Sequence, residues 1–298
     1  QQGGCTMIRL QGLTKSFGAV RILNGLDLNV PAGQRIALIG SNGAGKTSLF
    51  RCLLGEYTHE GIVEIDGLNP RAHRTTVLRD VAFVPQIAPR LDMPVGALMT
   101  YVAELASATT RGMTEIAAQL GLDTGPILKR SFSKLSGGMK QKLLIALALG
   151  RPARLLILDE PAANLDPAAR AAFLDLLQER AEEATMIISS HRIDEIAALV
   201  NRVVELERGR VILDDAVCDA GALGSSFRVM LETSRFEPSF ARSAAEWGLI
   251  ERDGRWQGAI AGPERLRFLG FAARHSGLLR SLEIGEENAR GGMHGGAG

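Results

Sequence analysis

Apolar and polar residues alternate over 8–13 and 26–30, the period-two pattern of strands with one buried and one wet face. Pro31, Ala32 and Gly33 form a turn before the apolar run 35–39, which suits a buried strand. A glycine-rich turn follows it, and helical character over 46–54 completes a strand–loop–helix unit. A further strand pair is expected at 61–66 and 81–84. From 94 to about 149 the spacing is helical, with apolar residues three and four apart over 95–108 and 113–120. Gly121 and the turn Asp123, Thr124, Gly125, Pro126 interrupt that stretch, and another helix follows Ser136. Beyond it the pattern predicts strands at 155–158 and 186–188, helices at 168–180 and 194–199, and a hairpin from 203–206 and 210–213 turned by Glu207, Arg208 and Gly209. Strands that alternate with helices point to a parallel, buried sheet covered by helices.

The pattern changes near Asp215. The segment 216–298 holds ten arginines and ten acidic residues, so it carries no charge bias. Strands at 227–232 and 255–260 and a helix at 263–275 suggest a small α+β appendage, for which a plain packing module is the simplest reading. The ends, 1–6 and 291–298, are expected to be disordered, the second because it is glycine-rich.

Composition narrows the function classes. With 298 residues the chain is long enough to fold without disulfides or metal. A net charge of +1 and 5% aromatic residues argue against a nucleic-acid binder. Cys5, Cys52 and Cys218 are odd in number and lie far apart, which suits a reducing cytosol rather than a disulfide or zinc framework. No leader precedes Cys5 that reads as a signal peptide or lipid anchor. The longest apolar run, 143–149, is far too short to span a bilayer, so the chain is expected to sit on a membrane at most.

Three short segments carry chemistry. Gly40, Ser41, Asn42, Gly43, Ala44, Gly45, Lys46 and Thr47 fit G-x-x-x-x-G-K-[ST] between a predicted strand and helix. Glycines let the backbone wrap a phosphate, the helix adds its positive end, Lys46 meets the β- and γ-phosphates and Thr47 offers a hydroxyl to Mg2+. The alternative is a glycine turn with no ligand. Leu155, Leu156, Ile157, Leu158, Asp159 and Glu160 deliver two carboxylates at a strand end. Beside a phosphate loop, Asp159 would hold Mg2+ and Glu160 would act as general base on the attacking water; alone, such a strand end is common. Ser136, Gly137 and Gly138 leave amides exposed before a helix, which suits either a second phosphate-facing helix end shared across a dimer or a capped helix after a glycine turn.

In that order, with Gln86 and His191 between and after them, these motifs resemble the nucleotide-binding subunit of an ABC transporter over roughly residues 7–215. The resemblance implies an α/β P-loop ABC ATPase, with a RecA-like core sheet, an antiparallel β part, a helical subdomain at about 87–150, and the appendage at 216–290. It implies a dimer sandwiching two MgATP, with the phosphate loop extending to Ser48. Ser136, Gly137 and Gly138 would contact the γ-phosphate of the opposite subunit. Phe17 would stack on adenine, though a buried core ring is the other reading. Gln86 would sense Mg2+ and the attacking water, and His191, at a position where an isolated histidine is otherwise structural, would reach the γ-phosphate. Asp166 would link the two active sites, with Asn164 standing where the family often has a smaller residue.

Met139 stands where the family usually has glutamine, a pattern similar to the drug, sodium and polysaccharide exporter branch. The resemblance thus implies a cytosolic ATPase on the inner face of a membrane, paired with a separate integral-membrane permease that exports. A transporter serving copper-site maturation in a periplasmic enzyme has a similar layout. A soluble ATPase acting on ribosomes or DNA would carry two cassettes or long insertions, and this chain has neither.

Overall fold

The computed structural model describes residues 6–180, 184–190, 193–196, 199–216, 226–261 and 265–286. The chain divides into two units, the first holding residues up to 191 together with 198–216, the second holding 192–197 and 217–298.

In the first unit, β1 (Thr6–Phe17) and β2 (Val20–Pro31) form a long antiparallel pair, and Thr6 stands in that strand rather than in a disordered tail. Alternate residues such as Ile8, Leu10, Leu26, Leu28 and Val30 are buried, as period-two patterning requires. β3 (Arg35–Ile39) leads through the loop 40–45 into α1 (Lys46–Leu53). β4 (Glu60–Ile65) is followed by a one-and-a-half-turn helix α2 (Arg74–Arg79) and β5 (Val81–Val84). The expected strand pair is corrected here. β4 joins β1 in an antiparallel sheet ordered β2-β1-β4, whereas β5 enters a different, parallel sheet. Both are edge strands, but β4 is only partly buried, while β5 is an apolar run that fits between covered faces.

Helices α3 (Val95–Leu105), α4 (Thr110–Gln119) and α5 (Gly137–Leu149) follow, with single turns at Gly125–Ile127 and Phe132–Lys134. α5 is buried on nearly all sides in its second half, residues 143–149, which explains why that stretch shows no polar stripe. Then come β6 (Leu155–Asp159), α6 (Pro167–Arg180), β7 (Thr185–Ser189), the short α7 (Ile193–Ile196), which belongs to the second unit, and the hairpin β8 (Arg202–Glu207) and β9 (Arg210–Ala216). Six strands form a sheet ordered β5-β6-β7-β3-β8-β9, parallel except for β9. Every residue of β6 and β7 is buried. Such a sheet directs the carboxyl ends of β3, β6 and β7 to one edge, where open α/β sheets bind ligands.

The second unit carries β10 (Ser226–Thr233), α8 (Pro238–Glu246), β11 (Ile250–Arg252), β12 (Arg255–Ala261), α9 (Arg265–Arg274) and β13 (Leu279–Glu286). Its antiparallel sheet runs β11-β12-β10-β13, the βαββαβ topology of a ferredoxin-like module. Phe227, Val229 and Leu231 of β10 and Trp256 and Ile260 of β12 pack with Phe240 and Ala244 of α8 and Phe268 and Phe271 of α9. This unit has an apolar core of its own. The expected helix at 263–275 is seen as α9 over its described part, its first two residues lying outside the described residues; α8, β11 and β13 were not anticipated as elements.

Candidate active site

The site is assembled at the carboxyl edge of the parallel sheet. The apolar sequence of β3 buries the strand, and Gly40 turns the chain out of it. The loop closes on itself where Ala44 N–H donates to Ser41 O at 3.1 Å. Gly45 begins α1 at φ 110°, in the left-handed region where a side chain is strained, and no side chain caps the helix. The free N–H groups of the first turn therefore belong to the loop's concave side. Lys46 is only 9% exposed, and its ammonium donates to Gly40 O at 2.5 Å and Ser41 O at 3.3 Å. Burial pushes that ammonium below the ordinary lysine value, while the nearby Glu160 and Asp159 carboxylates act in the opposite direction.

Asp159 ends β6 and is 2% exposed. Thr47 Oγ1 donates to one of its oxygens at 2.9 Å, and Ser189 Oγ donates to the other at 2.7 Å. The same Ser189 hydroxyl accepts the Glu160 N–H at 2.9 Å. Glu160 adopts φ 47°, rare for a residue with a Cβ, so the chain turns sharply at the strand end and the turn places Glu160 beside the loop. These groups surround a cleft of about 280 Å³ lined by Ile22, 41–48, Gln86, Asp159 and Glu160. Ser41, Asn42, Gly43, Ala44, Gly45, Lys46, Thr47, Ser48, Gln86, Asp159 and Glu160 are thus brought together, and Gly40 joins them through its carbonyl. A hydroxyl, a carboxylate and an amide oxygen are hard donors, the set that suits Mg2+ completed by substrate phosphates. Among the described residues there is no cluster of three His, Cys, Asp or Glu side chains that could hold a metal unaided.

Other expected residues gather elsewhere. Ser136 caps α5, its hydroxyl accepting Met139 N–H at 3.3 Å, and Ser136 and Gly137 are exposed. The loop after Glu160 packs against this helix start: a Cβ on Gly138 would lie 3.4 Å from Asn164 O, buried Gln141 donates to Pro161 O at 2.8 Å, and Lys142 pairs with Asp166 at 2.7 Å. Asp166 also accepts Ala169 N–H at 2.9 Å, capping α6. Ser136, Gly137, Gly138 and Asp166 therefore form a second surface and do not line the cleft. Phe17 does not line it either. It is 47% exposed, against the buried-ring reading, and meets Tyr57 edge to face at 5.2 Å with the Lys15 ammonium 4.6 Å from its ring centre. His191 lies outside the described residues, as do residues 1–5, 291–298 and Cys218. Cys52 on α1 is buried, and burial pushes its thiol up to about 11.

Sequence reasoning missed Ser189 and Ile22. Ser189 had a signal: it is the polar residue that closes an otherwise apolar strand. No described helix is long and apolar enough to cross a membrane.

The sequence model of the family described as "ABC transporter" matches residues 23–163. The chain is 33% identical over 213 residues to Aliphatic sulfonates import ATP-binding protein SsuB 2 of Rhodococcus jostii (strain RHA1), spanning 70% of this chain and 82% of that protein. It is 30% identical over 224 residues to Glutamine transport ATP-binding protein GlnQ of Escherichia coli (strain K12), spanning 70% and 90%. A solved ATP binding subunit of an ABC transporter superposes with a TM-score of 0.64 at 25% identity, over 71% of this chain and 90% of that one. The chain belongs to the ABC transporter family as an ATP-binding, ATP-hydrolysing subunit.

Proposed function

We propose that this member of the ABC transporter family works as one of two identical ATPase subunits that bind two MgATP between them and drive a separate integral-membrane permease. What supports the reading most is one connected arrangement: Lys46 buried in the phosphate loop, with Thr47, Asp159 and Ser189 in a single hydrogen-bonded chain beside Glu160. Lys46 and the amides of 41–48 hold the phosphates. Thr47, Asp159 and Gln86 hold Mg2+, which when bound neutralises phosphate charge. Glu160 takes a proton from the attacking water, and His191 and Gln86 position that water and the γ-phosphate. Ser189, fixed between Asp159 and the Glu160 amide, keeps both carboxylates in register.

Ser136, Gly137 and Gly138 close on the partner's nucleotide, Phe17 stacks on its own adenine, and Asp166 passes the state of one site to the other. ATP binds the closed dimer more tightly than the open one, so binding shifts the population and hydrolysis reverses it. The helical stretch 87–150 faces the permease, and the protein sits on the cytoplasmic side of the membrane. No direction of transport belongs to the proposal: the exporter expectation rests on Met139, while the sulfonate relative is an import protein by name.

The test is affinity purification of tagged Glu160→Gln from its native membranes in mild detergent with MgATP. The variant is expected to bind ATP, to lose turnover and to bring a multispan membrane protein in near-equal amount. Wild-type hydrolysis by the variant would remove Glu160 from the base role. Ribosomal or DNA-repair proteins without a membrane partner would overturn the transporter reading.

A further inference from the structure

The end of β8 and the turn into β9 lie against both ends of the phosphate loop, largely backbone to backbone. At the first end, β8 runs parallel to β3, and a Cβ on Gly40 would stand 2.3 Å from Leu206 O. At the other end, Gly209 N–H donates to Ala44 O at 3.0 Å, and Gly209 O accepts Asn24 N–H at 2.9 Å. Gly209 has φ 74°, and a Cβ there would lie 2.1 Å from Ile22 O and 2.8 Å from Leu23 Cα. Gly45 fits the same crossing: its Cβ would meet the Leu23 side chain at 2.8 Å, Ile22 O at 3.2 Å and Gly209 Cα at 3.7 Å. Three backbones, those of β2, the loop and the turn, cross at van der Waals contact, and both Ile22 and Ala44 line the cleft.

We infer that the segment Leu206–Gly209, the end of β8 and the turn after it, is a positioning element of the nucleotide site, clamping the phosphate loop at Gly40 and at Ala44. The inference rests on the nucleotide reading of the cleft. The clamp acts on the loop's shape and does not touch the ligand. Gly40, whose carbonyl holds the Lys46 ammonium, has its Cα closed in by the Leu206 carbonyl, and the amides of 43–45 are held by the Gly209 bond to Ala44. Interiors packed this closely transmit a displacement instead of absorbing it. A methyl group on Gly209 must therefore push either β2 or the loop, and both border the cleft.

The test compares the full-length chain with Gly209→Ala and Gly254→Ala by calorimetric titration with MgATP. Gly254 shares the left-handed backbone at φ 78° but has open space around its Cβ, and it lies in the second unit. Gly209→Ala is expected to raise the Kd by about tenfold with binding stoichiometry kept. Gly254→Ala is expected to lower the melting temperature and leave the Kd alone. A misfolded fraction would lower stoichiometry without moving the Kd. Should Gly209→Ala not fold, hydrogen exchange on the wild type decides: MgATP is expected to slow exchange at the Gly209 and Asn24 amides together with the loop amides. Unchanged Kd in the variant, or a protected loop beside an indifferent Gly209, overturns the clamp while leaving the nucleotide reading intact. A wild type that binds no MgATP overturns both.

Discussion

Two helices of the first unit begin at glycines, one just after Gly45 and the other with Gly137 and Gly138, and they end their preceding loops in opposite ways. α1 starts at Gly45 without any side-chain cap, and its first residue is a buried ammonium facing two carboxylates. α5 starts at Ser136, whose own hydroxyl satisfies the Met139 amide, and Ser136 and Gly137 are exposed. Behind that turn, Gln141 and Lys142 fasten the helix to Pro161 and Asp166. The first helix end is built around a hollow and left unsatisfied within the chain. The second is satisfied within the chain and presents its glycines outward. An uncapped helix start surrounded by buried charge is organised for an anion. A capped, exposed one is organised as a surface that meets another molecule.

Substitutions at the two ends should separate these roles. The largest effect is expected at α1. Lys46→Ala removes the ammonium held by Gly40 and Ser41 and leaves Asp159 and Glu160 without their cation, so MgATP affinity should fall by about a hundredfold or more. Calorimetric titration checks this, and an affinity within threefold of wild type would mean the phosphates lie elsewhere. At α5 the ATP affinity of the single subunit should not move. Ser136→Ala removes a cap worth about 1 kcal/mol, so it should lower stability by roughly that amount in urea unfolding. Under the proposed two-subunit cycle it should also slow ATP turnover, because Ser136 would serve the partner's nucleotide. A Ser136→Ala subunit that loses ATP affinity in the monomer would place that serine in its own chain's site and collapse the distinction.

The comparison also shows what could be read without coordinates. The strand–loop–helix around Lys46 and the strand ending at Asp159 were legible, because an apolar run followed by glycines, or by acids, is a local pattern. So was the β8–β9 hairpin, turned at Arg208 and Gly209. What escaped depended on neighbours distant in sequence. β4 and β5 read as a pair, and only the sheet order separates them. Ser189 matters because β7 lies beside β6, which sets it across from Asp159. In the second unit, β13 was obscured because Arg280, Ser281 and Glu283 fill one face while Leu282 and Ile284 only partly fill the other. α8 buries just Phe240 and Ala244, too few apolar positions for a clear helical stripe. The contrast between α1 and α5 was only half legible, since Ser136 reads as a cap but both starts read as glycines before a helix, and burial is what shows one enclosed and the other exposed.

The smallest expected effect sharpens the same comparison at the link behind α5. The Lys142 hydrogen bond holds the Asp166 carboxyl below its ordinary value of 3.8, and the Ala169 amide adds to the effect. The pair is half-exposed on the aspartate side, so its strength is limited by solvent and salt. Asp166→Asn keeps an oxygen for the Ala169 amide, because asparagine is also a good cap, and removes only the charge pair. At pH 7 its loss of stability should therefore be smaller than that of Ser136→Ala. The pH dependence fixes the cause. A carboxylate whose folded value is depressed contributes fully above its unfolded value and loses that contribution as pH falls through the folded one. The difference between wild type and Asp166→Asn should stay level from pH 7 down to about 4, then shrink below it, and it should narrow with added salt at any pH above that range. Urea unfolding at a series of pH values measures it. A difference that persists unchanged into acid would assign the loss to the cap at Ala169 and leave α5 joined to its neighbouring loop by Gln141 alone.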